Sequence, residues 1–298
     1  FLASVLSLNL DNITEITKLM DECRAMSIPT LGPDVNESWQ KFSANHHGEI
    51  RFGISAIKGV GGAAADMIIA EREKNGTYKN VFDFIQRVNL SACNRKCVES
   101  LVLSGAFDGF GSMKREDFFA KNTKGETFID TLVRYGQLYQ NEIAQARNSL
   151  FGGDNAVEIA TPPIPKGEQW SNIMRLNKER DLVGIYLSAH PLDEYKVVID
   201  ALCNTKCAEL ADINALADRE TVVLGGIVTN VEQKFTKRGD PCGFVTIEDF
   251  EGSGRLALFG ESWGQMRGMF EVGATVYVTG KVVSRYSQYG NKDDNGPK

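Results

Sequence analysis

ISAIKGVGGAAADMII, residues 54–69, is the stretch from which the rest of the chain can be read. Apolar residues stand at Ile54, Ile57, Val60, Ile68 and Ile69. Gly59 and Gly61 flank Val60, and Ala65 lies four residues past the second glycine. Every position of a helix, two-glycine hairpin, helix pattern is filled in register. Two short helices that cross closely need a turn without side chains. The second helix then opens with N–H groups that lack an intrahelical partner, and these donors with the helix dipole favour an anion. On this reading Gly59 and Gly61 let a phosphate approach, Val60 pins the hairpin to the core, and Lys58 adds charge at the rim. The plainer reading is a glycine turn that packs two helices.

The chain has 298 residues, enough for two or three domains, with ordinary apolar and charged fractions for a soluble globular protein. No apolar run reaches membrane-spanning length, and no signal peptide is read. The chain starts at Phe1 and stops in a polar tail, so it reads as a piece of something longer. Net charge is −6 but uneven: basic residues outnumber acidic ones by 10 to 8 over 51–118 and by 3 to 2 over 119–140. A local basic surface lets an acidic protein bind nucleic acid, though modestly. Six cysteines include Cys93/Cys97 and Cys203/Cys207, each pair one helical turn apart. That spacing is not the usual zinc pattern, and the three histidines complete no ligand set. Buried free thiols and a reducing cytoplasm are expected, with no metal site.

Residues 11–26 read as an amphipathic helix capped by Asn12 with Glu15. A short strand over 50–54 feeds the opening motif. The helix after the hairpin should run to about Lys74 and stop at Asn75–Gly76. Asn80 and Asn94 cap two further helices. The second of these leads into Ser104–Gly105–Ala106–Phe107–Asp108, a degenerate second hairpin with Phe107 where the second glycine belongs. SMKREDFF would be its second helix, bringing Lys114 and Arg115 to the N-terminal turn. Two such motifs pack as a pseudo-symmetric pair on one duplex, holding phosphates without reading sequence. Arg95, Lys96, Lys114 and Arg115 equally suit a solvated helix face.

A helix over 128–146 precedes Arg147-Asn148-Ser149-Leu150-Phe151-Gly152-Gly153. An adjacent Leu–Phe pair in a polar linker suits a partner's pocket. The alternative is that Leu150 and Phe151 dock the end of their own helix. A proline-rich connector, TPPIPK, leads to a helix over 170–183 and more acidic helical material. From Glu220 the composition turns to β-branched and aromatic runs. Strands near 221–234, 242–249 and 254–259, a helix over 261–269 and a strand over 275–283 follow the order of an OB-fold barrel lacking its last strand. Phe244, Phe259 and Tyr286 are stacking candidates, and Lys237, Arg238, Arg255, Lys281 and Arg285 suit a nucleic-acid backbone. Many such barrels bind protein or nothing. No Walker loop, nucleophile elbow or metalloprotease motif is present. Glu248-Asp249-Phe250-Glu251 reads as turn carboxylates and not as a metal site.

In this order the motifs resemble a known family. MDECRAMSIPTLGPDVNES, IRFGISAIKGVG, VFDFIQRVNL, ESLVLSGAFDGFG, NKERDLVGIYLSAHPLDEY and TKRGDPCGFVTIEDFEGS look like the C-terminal third of the alpha subunit of bacterial DNA polymerase III, the C-family replicative polymerase. The resemblance implies a multidomain α plus β chain. It would comprise a helical fingers remnant (1–45), a tandem helix-hairpin-helix unit (46–118), a helix and linker with a clamp-binding motif (119–160), a helical connector (161–218) and an incomplete OB-fold (219–298). Duplex phosphates would meet Lys58, Gly59, Val60, Gly61, Gly105, Ala106, Lys114 and Arg115. A single-stranded template would meet Lys237, Arg238, Phe244, Arg255 and Phe259. Arg147, Asn148, Ser149, Leu150 and Phe151 would bind the beta sliding clamp, with Arg147 where the family has glutamine. Other replicase subunits are implied partners, and a membrane is not. The family's catalytic aspartates lie in a palm domain that this chain lacks. The parent polymerase would use Mg2+, and this piece would hold no cofactor and not polymerise DNA alone. The competing expectation is a replisome scaffold whose hairpins and barrel are purely structural.

Overall fold

A computed structural model describes residues 1–10, 12–148, 159–187, 189–212, 216, 219, 221–236 and 239–281. The chain forms two compact units, Phe1–Ala189 and His190–Lys298. The expected connector over 161–218 is thus divided between them.

In the first unit, α1 (Leu2–Leu8) and α2 (Ile13–Ala25) pair at the N-terminus, and Asn12 caps α2 by accepting from the Glu15 N–H. A small sheet follows, in the order β1 (Thr30–Leu31), β3 (Ile50–Arg51), β2 (Ser43–Ala44). Of these, the sequence reading contained only the strand over 50–54, seen here as β3 over Ile50–Arg51; α1, β1 and β2 are too short to show a period. The sheet delivers Phe52 and Ile54 into the core, where they are 1% and 0% exposed.

The first helix of the expected hairpin is a single 3-10 turn, Ile54–Ala56. The Ile54 and Ser55 N–H groups donate to Trp39 and Gln40 carbonyls, which leaves room for one turn before Gly59. The second helix, α3 (Gly62–Asn75), buries Ala64, Ala65, Ile68 and Ile69 and ends at Gly76, φ +83°. Asn80 caps α4 (Val81–Arg87) and Asn94 caps α5 (Arg95–Leu103), each through its side-chain oxygen. The long helix α6 (Phe128–Asn148) crosses α4 closely at Gly136, where a Cβ would lie 2.7 Å from the Ile85 carbonyl oxygen. Beside it, Gln140 Nε2 donates to the carbonyls of Ile85, Gln86 and Val88, acceptors that the end of α4 leaves open. Ser171 caps α7 (Asn172–Val183). One apolar core runs through this unit from Leu2 to Ile185, joining the segments expected to be fingers and hairpin domains.

In the second unit, α8 (Lys196–Leu202) precedes a curled antiparallel half-barrel of four strands. Its order is β6 (Ser253–Phe259), β5 (Pro241–Glu248), β4 (Val222–Phe235), β7 (Thr275–Gly280), as in an OB-fold short of closure. Strand β4 is long enough to pair β7 with its first half and β5 with its second, bending at an irregularity between Val228 and Asn230. Helix α9 (Gly260–Met266) lays Trp263 over Gly243, where any side chain on residue 243 would collide with the indole. Val222, Leu224, Val228, Val245, Ile247, Trp263 and Phe270 make the core.

Candidate nucleic-acid interfaces

The hairpin at Gly59–Gly61 is open. Gly59 has φ +92°, and a Cβ there would lie 2.6 Å from Ser100 Oγ on α5, so both conformation and packing require glycine. Val60 is 4% exposed and locked by its N–H to the Ile57 carbonyl. Gly61 is the N-cap of α3, with ordinary φ −72° and no side chain satisfying the helix's first donors. Gly61, Gly62 and Ala63 are exposed, as is Lys58. The Lys58 N–H donates to the carbonyl of Leu182, in the last turn of α7, at 2.9 Å. An unpaired carbonyl at one helix end thereby fixes the rim of the other helix's entrance. Sequence reading missed both Ser100 and Leu182, because neither lies near the hairpin in the chain.

The second hairpin is closed. Gly105 has φ +85° and ends α5: its own N–H returns to the Val102 carbonyl and that of Ala106 to Leu101. Ala106 and Phe107 are 0% and 4% exposed. Phe107 stacks with Phe110 and Phe118 and meets Phe84 edge-on. Gly105 and Ala106 were expected to face phosphate; a phenyl ring in place of the second glycine turns the corner into the core.

Arg115 departs from expectation in the same way. The segment after Gly105 forms a 3-10 helix, Arg115–Phe119, and buries the guanidinium to 8% exposure. Arg115 donates to Asp108 at 2.7 Å, to Glu179 at 2.9 Å and to the Leu103 carbonyl. Burial alone would lower its pKa, but hydrogen bonds and charge from Asp108 and Glu179 reverse this and raise it. Its donors are committed within the protein. Lys114 stays exposed, its backbone N–H donating to Asp117. Arg95 is paired with Glu99 and Asp130.

The half-barrel carries the second surface. Alternation along its strands points Val231, Val245 and Leu256 inward and Glu232, Phe244 and Arg255 outward. Phe244 lies directly across from Glu232 on β4 and Ala257 on β6. The Arg255 guanidinium sits 4.4 Å from the centre of the Phe244 ring and Lys234 Nζ 5.4 Å from it. Phe259, 39% exposed, meets Phe244 edge-on at 6.3 Å. Glu232 accepts from Lys234 at 2.9 Å and from Arg255 at 3.2 Å. The hydrogen bond from Lys234 is the first reason its carboxyl lies below the ordinary range. Lys234 and Glu232 were absent from the sequence reading; alternation puts them on one face of β4, and the register with β5 sets that face beside Phe244. Lys237, Arg238, Arg285 and Tyr286 lie outside the described residues.

Arg147 and Asn148 close α6, and Ser149, Leu150 and Phe151 lie outside the described residues. Among the described residues no group of His, Cys, Asp or Glu is placed to hold a metal ion. Asp249 is 8% exposed, and its carboxylate accepts the N–H groups of Cys207, Glu251 and Gly252, which makes it a turn cap. No helix among the described residues is long and apolar enough to cross a membrane.

Residues 27–117 match the family model of the helix-hairpin-helix motif, and 222–292 that of the OB-fold nucleic acid binding domain. Among curated proteins, the chain is 31% identical over 286 residues to the DNA polymerase III subunit alpha of Pasteurella multocida, 32% over 289 to that of Haemophilus influenzae and 33% over 289 to that of Borreliella burgdorferi. Each match covers 95% of this chain and 24% of the relative, so the chain spans about a quarter of their length.

Proposed function

Because the chain resembles a segment of the bacterial DNA polymerase III alpha subunit over 95% of its length, we propose that it holds primer–template DNA and tethers a replicative polymerase to its sliding clamp. The observation that carries the DNA reading is the entrance of α3. Its first N–H groups have no side-chain cap, its first residues are exposed, and Lys58 stands at the rim. Such an entrance accepts a phosphate oxygen from any sequence. With the second hairpin closed, duplex is held chiefly at Gly59–Gly61, helped by the exposed Lys114.

The Phe244 face takes the single-stranded template. An aromatic ring stacks any base, and Lys234 and Arg255 beside it suit the backbone. Leu150 and Phe151 anchor the clamp, with Arg147 in place of the family's glutamine. Polymerisation, Mg2+ and the contacts to other replicase subunits belong to the parent, which works in the cytoplasm. This piece, without palm aspartates, is inactive alone.

Fluorescence anisotropy with duplex and single-stranded DNA at low and high salt tests the reading. Binding should be independent of sequence and fall steeply with salt. The scaffold reading draws on the closed second hairpin and the net charge of −6. It predicts no DNA binding even at low salt.

A further inference from the structure

On the outer face of the half-barrel a single carboxylate occupies both cations that flank the half-buried aromatic ring of Phe244. Glu232 Oε2 takes the Lys234 ammonium at 2.9 Å and the Arg255 guanidinium at 3.2 Å, while Oε1 accepts from Asn230 at 3.2 Å. Both cations lie over Phe244. The ring is therefore covered by an ion-paired lid held by one side chain. Lys234, Arg255 and Glu232 remain 57%, 52% and 40% exposed, so water and ions reach the cluster. An exposed ion pair of this kind is weak enough to exchange partners.

We propose that Glu232 is a built-in competitor for single-stranded nucleic acid on this face. The proposal rests on the single-strand reading given above and adds how the site is tuned. A backbone phosphate offers the same charge and acceptor geometry as the carboxylate. On binding, phosphate oxygens take over Lys234 and Arg255, Glu232 turns to water, and the displaced guanidinium uncovers Phe244 for a base. The face keeps a net charge of one plus in either state; binding changes only which oxygens hold the two cations, those of Glu232 or those of the phosphate. Non-specific anions are thus held off, and only a ligand that supplies both a phosphate and a base to stack gains the full interaction.

The test uses the 298-residue chain and a fluorescent oligothymidylate at low salt. Glu232→Gln keeps the shape and removes the charge, and it should bind about 3- to 10-fold tighter than the parent. Glu271→Gln, the same charge change at another exposed position of this unit, should bind as the parent does. Phe244→Ala should weaken binding. Unchanged or weaker binding by Glu232→Gln, with Phe244→Ala weakened, overturns the proposal and leaves the single-strand reading standing. Equal tightening by Glu271→Gln also overturns it, since bulk charge would then suffice. Unchanged affinity in both Phe244→Ala and Glu232→Gln removes the single-strand reading and the proposal with it.

Discussion

Gly59 and Ser100 meet so tightly that a methyl group on Gly59 would stand 2.6 Å from the Ser100 hydroxyl oxygen. The hairpin packs against α5 with no room for a side chain here, and Gly59 also carries φ +92°. Gly59→Ala should therefore cost about 1–2 kcal/mol for the left-handed backbone, plus an overpacking cost of roughly 1–3 kcal/mol. Adding Ser100→Ala should recover only the packing share. Urea denaturation of the two single variants and the double variant separates the two contributions.

Gly61 behaves differently. Its φ is −72° and nothing lies within 4 Å of a Cβ there. Gly61→Asp should keep stability within about 0.5 kcal/mol, because aspartate is a good N-cap. The same carboxylate would occupy the donors proposed to take phosphate, and duplex affinity should drop about tenfold or more. Loss of binding in an equally stable variant locates the duplex contact; retained binding moves it elsewhere.

Arg115 should report on stability and not on DNA. Glu179 is 1% exposed, and although it also accepts the Leu187 N–H, removing Arg115 takes the cation away from a buried carboxylate. Arg115→Ala is expected to cost on the order of 3–5 kcal/mol in denaturant unfolding. A double replacement, Arg115→Met with Glu179→Leu, should cost less than the single one. Its duplex affinity should match the parent's at every salt concentration.

Leu150→Ala with Phe151→Ala should abolish capture by an immobilised sliding clamp while leaving DNA anisotropy unchanged. Full capture would remove the clamp-anchor assignment.

The second unit should be acid-sensitive at Glu209. Hydrogen bonding from Arg219, then from the Lys206 N–H, holds its carboxyl down to about 2 against an ordinary 4.5. A carboxylate depressed in the folded state stabilises the fold fully above its unfolded value and loses that contribution as pH falls through the folded one. Stability should decline from about pH 4.5 toward about pH 2. Arg219→Ala should flatten the decline, as thermal denaturation at about pH 5 and about pH 3 would show.

The sequence by itself determined the helices with local signals. Asn12, Asn80 and Asn94 each cap a helix through a donor three residues on, and Gly76 stops α3 where expected. It also determined the half-barrel, because strand alternation and turn residues are written within a few positions of each other. The turn of the open hairpin was legible for the same reason, since Gly59, Val60 and Gly61 are adjacent, while its packing on Ser100 and Leu182 was not. What only the tertiary structure decided involves partners far along the chain. Arg115 looked like a surface cation because Glu179, which buries it, lies 64 residues away. Phe107 closed the second hairpin by joining rings from Phe84 to Phe118. Likewise Lys234 and Glu232 joined Arg255 around Phe244 only when β5 was set between β4 and β6. Backbone geometry follows from neighbours in sequence, but the exposure of a charge follows from whatever folds against it.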